Sequence, residues 1–169
     1  MNIAVIGTGM VGQLIAVELS KKYQVYAIDN NKSNLDKLRK KNAKIITKKI
    51  DVKNEDFLKS LDDTDLIVNC VPGFMGFETS KKILEKKTCV DISFMPEDCN
   101  YLKTVAENAN TALYPDAGVA PGLSNMIVGN LISKNKLKEV KIMVGGLPLE
   151  KNPPWNYKAP FSPIDVIEE

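Results

Sequence analysis

Apolar positions in this chain fall into short, nearly charge-free runs, separated by longer stretches with helical spacing. Asn2 to Ile6 is such a run, rich in β-branched residues, and it predicts a strand covered on both faces. Val11, Leu14, Ile15 and Leu19 then recur at helical intervals. Residues 23–28 predict a second strand. Residues 31–41 predict a helix, capped by Asn31 or Ser33, with Leu35 and Leu38 turned inward. Ala43 to Ile46 is expected as a third strand. A short helix capped by Asn54 should follow, with Phe57, Leu58 and Leu61 inward. Asp65 to Cys70 is the fourth strand. A helix finishing at 79–87 leads to a fifth at Thr88–Ile92. A helix near Asp98–Asn108, with Leu102, Val105, Ala106 and Ala109 on one face, precedes a sixth strand at 112–114.

Strict alternation of strand and helix, joined by right-handed crossovers, gives a doubly wound parallel sheet of the Rossmann type. The character changes at Gly118. Residues 1–118 are expected to form the nucleotide-binding domain, and 119–169 the start of an α+β substrate domain. There Pro121 opens a helix with a stripe of Leu123, Met126, Ile127, Asn130 and Leu131. Residues 139–144 alternate as a strand with one wet face. Five prolines between Pro148 and Pro163, with Trp155, Tyr157 and Phe161, describe an extended arm whose aromatics need burial.

Composition narrows the function. A net charge of +2 gives no reason to expect nucleic acid. Arg39, the only arginine, sits in a lysine-rich helix end that suits the helix dipole. The three cysteines lack a metal-binding spacing and there is no histidine, so zinc and a disulfide framework are not expected. No apolar run reaches the ~18 residues of a spanning helix. The start runs directly into the first strand, so the expected location is the cytoplasm.

The chemistry is concentrated at the first turn. Gly7, Gly9 and Gly12 form G-x-G-x-x-G between a strand and a helix, enclosing Thr8, Met10 and Val11. Gly7 permits the tight turn, Gly9 admits a pyrophosphate to the backbone, and Gly12 lets helix and strand approach. The free N–H groups and helix dipole face the phosphates. Asp29 stands at the end of the second strand, 22 residues past Gly7, where a carboxylate accepts from the adenosine ribose hydroxyls. It repels a 2′-phosphate, and Asn30, Asn31 and Lys32 follow it rather than arginine. NAD is therefore expected over NADP, although Lys32 could meet a phosphate. Asp51 and Val52 lie in a loop that either flanks the adenine or is a surface turn. Cys70, Val71 and Pro72 leave the fourth strand, either beside the ribose and nicotinamide or merely to start a helix.

Several later blocks are distinctive: Val90 to Pro96, Pro115 to Asn125, Val144 to Pro148 and Phe161 to Glu169. With them the chain resembles the saccharopine dehydrogenase family, most like its lysine 6-dehydrogenase branch. That resemblance implies NAD-dependent oxidation of the ε-amine of lysine, with the imine hydrolysing to a semialdehyde and ammonia. Saccharopine reductases, the sister branch, tend to carry an acid where this chain has Ala120, and need cations for a polycarboxylate substrate. Family members are longer, and their second-domain sheet usually pairs subunits. A homo-oligomer is thus expected, and the chain is either a fragment or a natural short form. A non-catalytic nucleotide-binding module is the alternative. Hydride leaves only from the neutral amine, whose conjugate acid has a pKa of about 10.4, so the site must desolvate the amine or supply a base. Asp116 is the first candidate, as ammonium partner or base, against a role in capping the next turn. Ser93 is the second, as a hydrogen-bonding group for carboxamide or substrate, against a turn serine. Asp91 is a further possible base. Ser124 and Asn125 stand near a helix start, where capping would occupy them.

Overall fold

The computed structural model describes residues 1–145 and 148–150. Strands β1 (Asn2–Ile6), β2 (Gln24–Asp29), β3 (Ile46–Lys49), β4 (Leu66–Asn69), β5 (Cys89–Asp91) and β6 (Leu113–Tyr114) form one sheet in the order β3-β2-β1-β4-β5-β6. Every pairing is parallel; Ile6 stands opposite Ile28 on one side and Asn69 on the other. Helices α1 (Met10–Leu19), α2 (Lys32–Lys41), α3 (Asp56–Lys59), α4 (Gly73–Leu84), α5 (Lys103–Ala109) and α6 (Leu123–Lys134), with a 3-10 turn at Cys99–Leu102 leading into α5, complete the elements. The chain divides into two units, Met1–Asn125 and Met126–Glu169.

The apolar strand runs are explained by two cores, one on each face of the sheet. Ile3, Val5, Val25 and Ala27 pack with Ala16, Leu35 and Leu38. Ala4, Ile6, Ile28 and Ile67 pack with Phe57, Leu61, Ile83, Leu84 and Leu102. Alternate residues of one strand thus serve opposite layers. Asn31 caps α2, its side chain accepting from Ser33 N–H.

Four expectations need correction. In α1, Val11 and Leu14 are exposed, and the inner face is Gly12, Gln13 and Ala16. The helix lies so close to the first turn that only small residues, or one that bonds there, fit between. Gln13 does the latter, donating to Thr8 O at 2.9 Å. The third strand begins at Ile46 rather than Ala43. As the sheet edge it is half-solvated, so it extends past the expected end at Ile46 through two lysines, and Lys48 lies over the Tyr26 ring. Asn54 does not cap α3 with its side chain. The 51–54 turn is tied by Asn54 N–H to Asp51 O at 3.0 Å, which moves the helix start to Asp56.

Residues 139–144 form no strand, because a strand needs a neighbour for its backbone groups and the described residues supply none. The expected stripe of α6 is present, but Leu123, Met126, Ile127 and Leu131 are all exposed, and no residue of that helix is buried. Trp155, Tyr157, Phe161 and the rest of the proline-rich arm lie outside the described residues, as do Gly146 and Leu147.

Candidate functional site

The carboxyl ends of β1, β2 and β4 meet where the strand order reverses, the place where open parallel sheets bind ligands. Gly7 leaves β1 with φ +83°, a conformation that glycine adopts without strain. Its N–H donates to Ile28 O at 2.9 Å, and a Cβ there would lie 2.6 Å from the Cys70 carbonyl oxygen. A Cβ on Gly12 would collide with the Gly7 carbonyl. Gly9 differs: no atom lies within 4 Å of a Cβ built there. It heads α1, and no side chain caps that helix. The first N–H groups of the helix therefore keep their donors for a ligand.

Asp29 holds this turn from β2. Thr8 is fully buried, and its N–H and hydroxyl both donate to Asp29 Oδ2 at 2.7 Å. Asn31 N–H donates to Oδ1 at 2.7 Å, and Asn34 Nδ2 reaches Oδ2 at 3.4 Å. A carboxylate offers about four acceptor sites, so Oδ1 retains room for a hydroxyl. The residues fit an adenosine ribose beside an uncapped helix start.

Asn30 donates to Asp51 Oδ2 at 3.1 Å and Lys53 N–H to Oδ1 at 2.9 Å. The Lys53 N–H, with Asn30 next, holds the Asp51 carboxyl below its ordinary range. Val52 packs partly into the core, and its carbonyl accepts from Lys82 Nζ at 3.1 Å. Cys70 N–H donates to Ile6 O at 2.7 Å. Burial, then the charge of Asp91, pushes the Cys70 thiol up to about 12. Val71 is buried, whereas Pro72 is exposed and precedes α4, which again has no side-chain cap. Met10 and Val11 are exposed at the first turn of α1.

The next strand carries a closed polar cluster. Asp91 is fully buried; Oδ2 accepts from Asn69 Nδ2 at 2.7 Å and Ser80 Oγ at 2.8 Å. Oδ1 accepts from Ser93 N–H at 2.8 Å and Ser93 Oγ at 2.7 Å. The Ser93 hydroxyl proton is thus committed to Asp91, leaving only acceptor capacity. Its bulk presses on Gly76, where any Cβ would collide with it. Asp116 stands apart from the cluster. It is exposed, has φ +49°, and among the described residues its carboxylate has no hydrogen-bond partner. The next N–H, Ala117, donates to Asp91 O at 2.8 Å, bringing Asp116 to the end of β5. Asn125 Oδ1 accepts from Gly122 N–H at 3.0 Å and Ser124 Oγ at 3.1 Å, so both residues stabilise the entry to α6. Asn69 and Ser80 escaped the sequence reading. Asn69 carries a signal, a polar residue inside the apolar run Leu66 to Val71, whereas Ser80 sits among polar neighbours and carries none.

A parallel sheet with this strand order, a glycine turn and an acid ending the second strand define a dinucleotide-binding α/β protein. Residues 3–120 match the family described as "Saccharopine dehydrogenase NADP binding domain", and residues 118–169 match "Saccharopine dehydrogenase C-terminal domain". The chain belongs to the saccharopine dehydrogenase family. It is 27% identical over 122 residues to an Alpha-aminoadipic semialdehyde synthase of Arabidopsis thaliana, covering 68% of this chain and 12% of that protein. With the mitochondrial protein of that name from Rattus norvegicus it shares 25% over 177 residues, covering 98% and 19%. Among solved structures, the Saccharomyces cerevisiae saccharopine dehydrogenase (L-Glu forming) superposes with TM-score 0.67 at 22% identity, covering 79% of this chain and 31% of that one. Scyllo-inositol dehydrogenase from Lactobacillus casei gives 0.56 at 16%, covering 79% and 41%, a likeness of fold alone. The family description names NADP, which runs against the preference for NAD expected from Asp29. The cofactor is accordingly written below as a nicotinamide dinucleotide. Among the described residues no helix is long and apolar enough to cross a membrane.

Proposed function

We propose that this chain is the nucleotide-binding part of an oxidoreductase that oxidises the C–N bond at the ε-carbon of an amino acid, with lysine itself as substrate. The observation that carries the reading is the open Gly9 turn, with Asp29 anchored beside it and one acceptor site to spare. A bound dinucleotide supplies the hydride acceptor. The N–H groups of the glycine turn hold the diphosphate, Asp29 Oδ1 accepts from the ribose, and Pro72 borders the nicotinamide end. Ser93, already donating to Asp91, offers an oxygen to the carboxamide N–H. Asp116 pairs with the substrate ammonium and takes its proton, because only the neutral amine releases hydride. The carbon then loses a hydride to become an iminium. Water adds and ammonium leaves, giving the semialdehyde.

The names of the relatives favour a second reading, in which the nitrogen is the secondary amine of saccharopine. Against it stand Ala120 in place of an acid and the single Arg39, which suit a substrate with fewer carboxylates. The test has two parts. Fluorescence titration of the purified chain with NADH and NADPH should show saturable binding, and binding of neither sinks the proposal. The chain, or a longer form containing it, is then supplied with lysine or saccharopine, and formation of reduced nicotinamide is followed. Turnover of lysine alone supports the first substrate and turnover of saccharopine the second. Binding without either leaves a nucleotide-binding module.

A further inference from the structure

Asp29 does not stand alone at the sugar edge. In the register of β2 and β3, its partner on the neighbouring strand is Lys49. Paired residues of adjacent parallel strands share a face, and their strands are about 4.8 Å apart. The two neighbouring lysines point in different directions. Lys48 turns to the opposite face, where its Nζ donates to Ser60 O at 2.9 Å and lies 4.9 Å from the Tyr26 ring centre. Lys49 is exposed, and among the described residues its ammonium makes no ion pair or hydrogen bond. Lys32, also exposed, begins α2 three residues after Asp29.

The acid, meanwhile, is largely occupied. Three short bonds from Thr8 and Asn31 spread its charge into the protein, and Asn34 approaches it as well. The other nearby carboxylate, Asp51, is held by Asn30 and the Lys53 N–H. An anion arriving beside Asp29 therefore meets carboxylates already bonded to donors and a lysine with none of its donors used. A phosphate monoester, with about −1.5 to −2 charges, is the chemical group that such an ammonium recognises as a point charge.

We propose that Lys49 is the specificity-determining residue for the 2′-position of the adenosine ribose. It meets a 2′-phosphate beside Asp29, with Lys32 as the secondary cation, so that the chain accepts phosphorylated dinucleotide despite its acid. This rests on the dinucleotide reading above. It also accounts for an acid of the NAD type within a family described by NADP.

The experiment is a pair of fluorescence titrations, with NADH and with NADPH, on the wild-type chain, Lys49→Met and Lys49→Arg. Lys49→Met should weaken NADPH about tenfold, the scale of one lost charge-assisted contact, while NADH changes less than about twofold. Lys49→Arg should restore NADPH binding. In the wild type, added salt should weaken NADPH more steeply than NADH. NADPH affinity unmoved by Lys49→Met, or both nucleotides weakened equally, overturns the proposal. NADH bound with no NADPH binding also overturns it, while leaving the dinucleotide reading intact. Binding of neither nucleotide overturns both.

Discussion

Two aspartates in this molecule are built the same way and end in different trades. Asp29 and Asp91 are each the last residue of a parallel strand. Each accepts from the N–H two residues ahead, Asn31 or Ser93, and each accepts a hydroxyl, from Thr8 or Ser93. Asp29 sits at the rim, half-buried, and its bonds tie down a glycine turn that has unused N–H groups. Asp91 is fully buried, and Asn69 and Ser80 complete its coordination. A carboxylate with spare acceptor capacity at an open edge can recognise a ligand. One whose two oxygens each accept two bonds in the interior holds strands and helix together. Burial, not local geometry, separates the two roles.

The largest expected effect is on the closed side. Asp91→Ala strands the Ser80 and Ser93 hydroxyls and one Asn69 donor, and should lower stability by about 3 kcal/mol, read from the urea midpoint. An equally large loss from Asp29→Ala would erase the distinction. That substitution should cost about 1 kcal/mol, because Asp29 is half-buried and water can take the place of its carboxylate beside Thr8 and Asn31. In titration with reduced dinucleotide it should weaken binding about tenfold, the equivalent of one lost hydrogen bond to a charged group.

Gly9→Ala sharpens the comparison further. With nothing near the new methyl group, stability should change by less than about 1 kcal/mol, while dinucleotide affinity still drops. Thermal melting and titration of the same sample separate the two. Unchanged affinity would show that no phosphate approaches that backbone.

The smallest effect concerns the thiols flanking the Asp91 cluster. Burial raises Cys89 to about 12 and Cys70 likewise, with the charge of Asp91 adding to both, from an unfolded value of 9.0. Above 9.0 the unfolded chain releases these protons while the folded one keeps them. Their contribution to stability is complete below that value and is lost as pH climbs towards 12. Urea midpoints at mildly and strongly alkaline pH should therefore fall less for Cys89→Ala than for the wild type. Equal slopes would mean that the thiol is not held neutral.

Much of the sheet was legible because its strands are buried on both faces. Ile3 to Ile6 and Ile67 to Val68 must be apolar, and a short apolar run betrays them. The rim of the site was legible for a related reason. Gly7 and Gly12 sit where a Cβ would strike backbone, and such places leave glycines in the sequence. Where burial does not dictate residue type, the pattern misled. β3 is an edge strand with room for lysines, α1 turns its smallest residues inward, and 139–144 alternates without a partner to pair with.

The order of elements, the glycine turn and the acid ending the second strand follow from the sequence alone, since periodicity and backbone space act over a few residues. Only the folded chain decides that Asp91 is saturated while Asp29 is not, that Ser93 has spent its proton, and that Lys49 lies beside Asp29. Those facts rest on pairings between separate elements, such as Asp29 with Lys49 and Asp91 with Asn69 and Ser80, on which way a side chain turns, or on depth below the surface. Neither long-range pairing nor solvent access is written in local spacing.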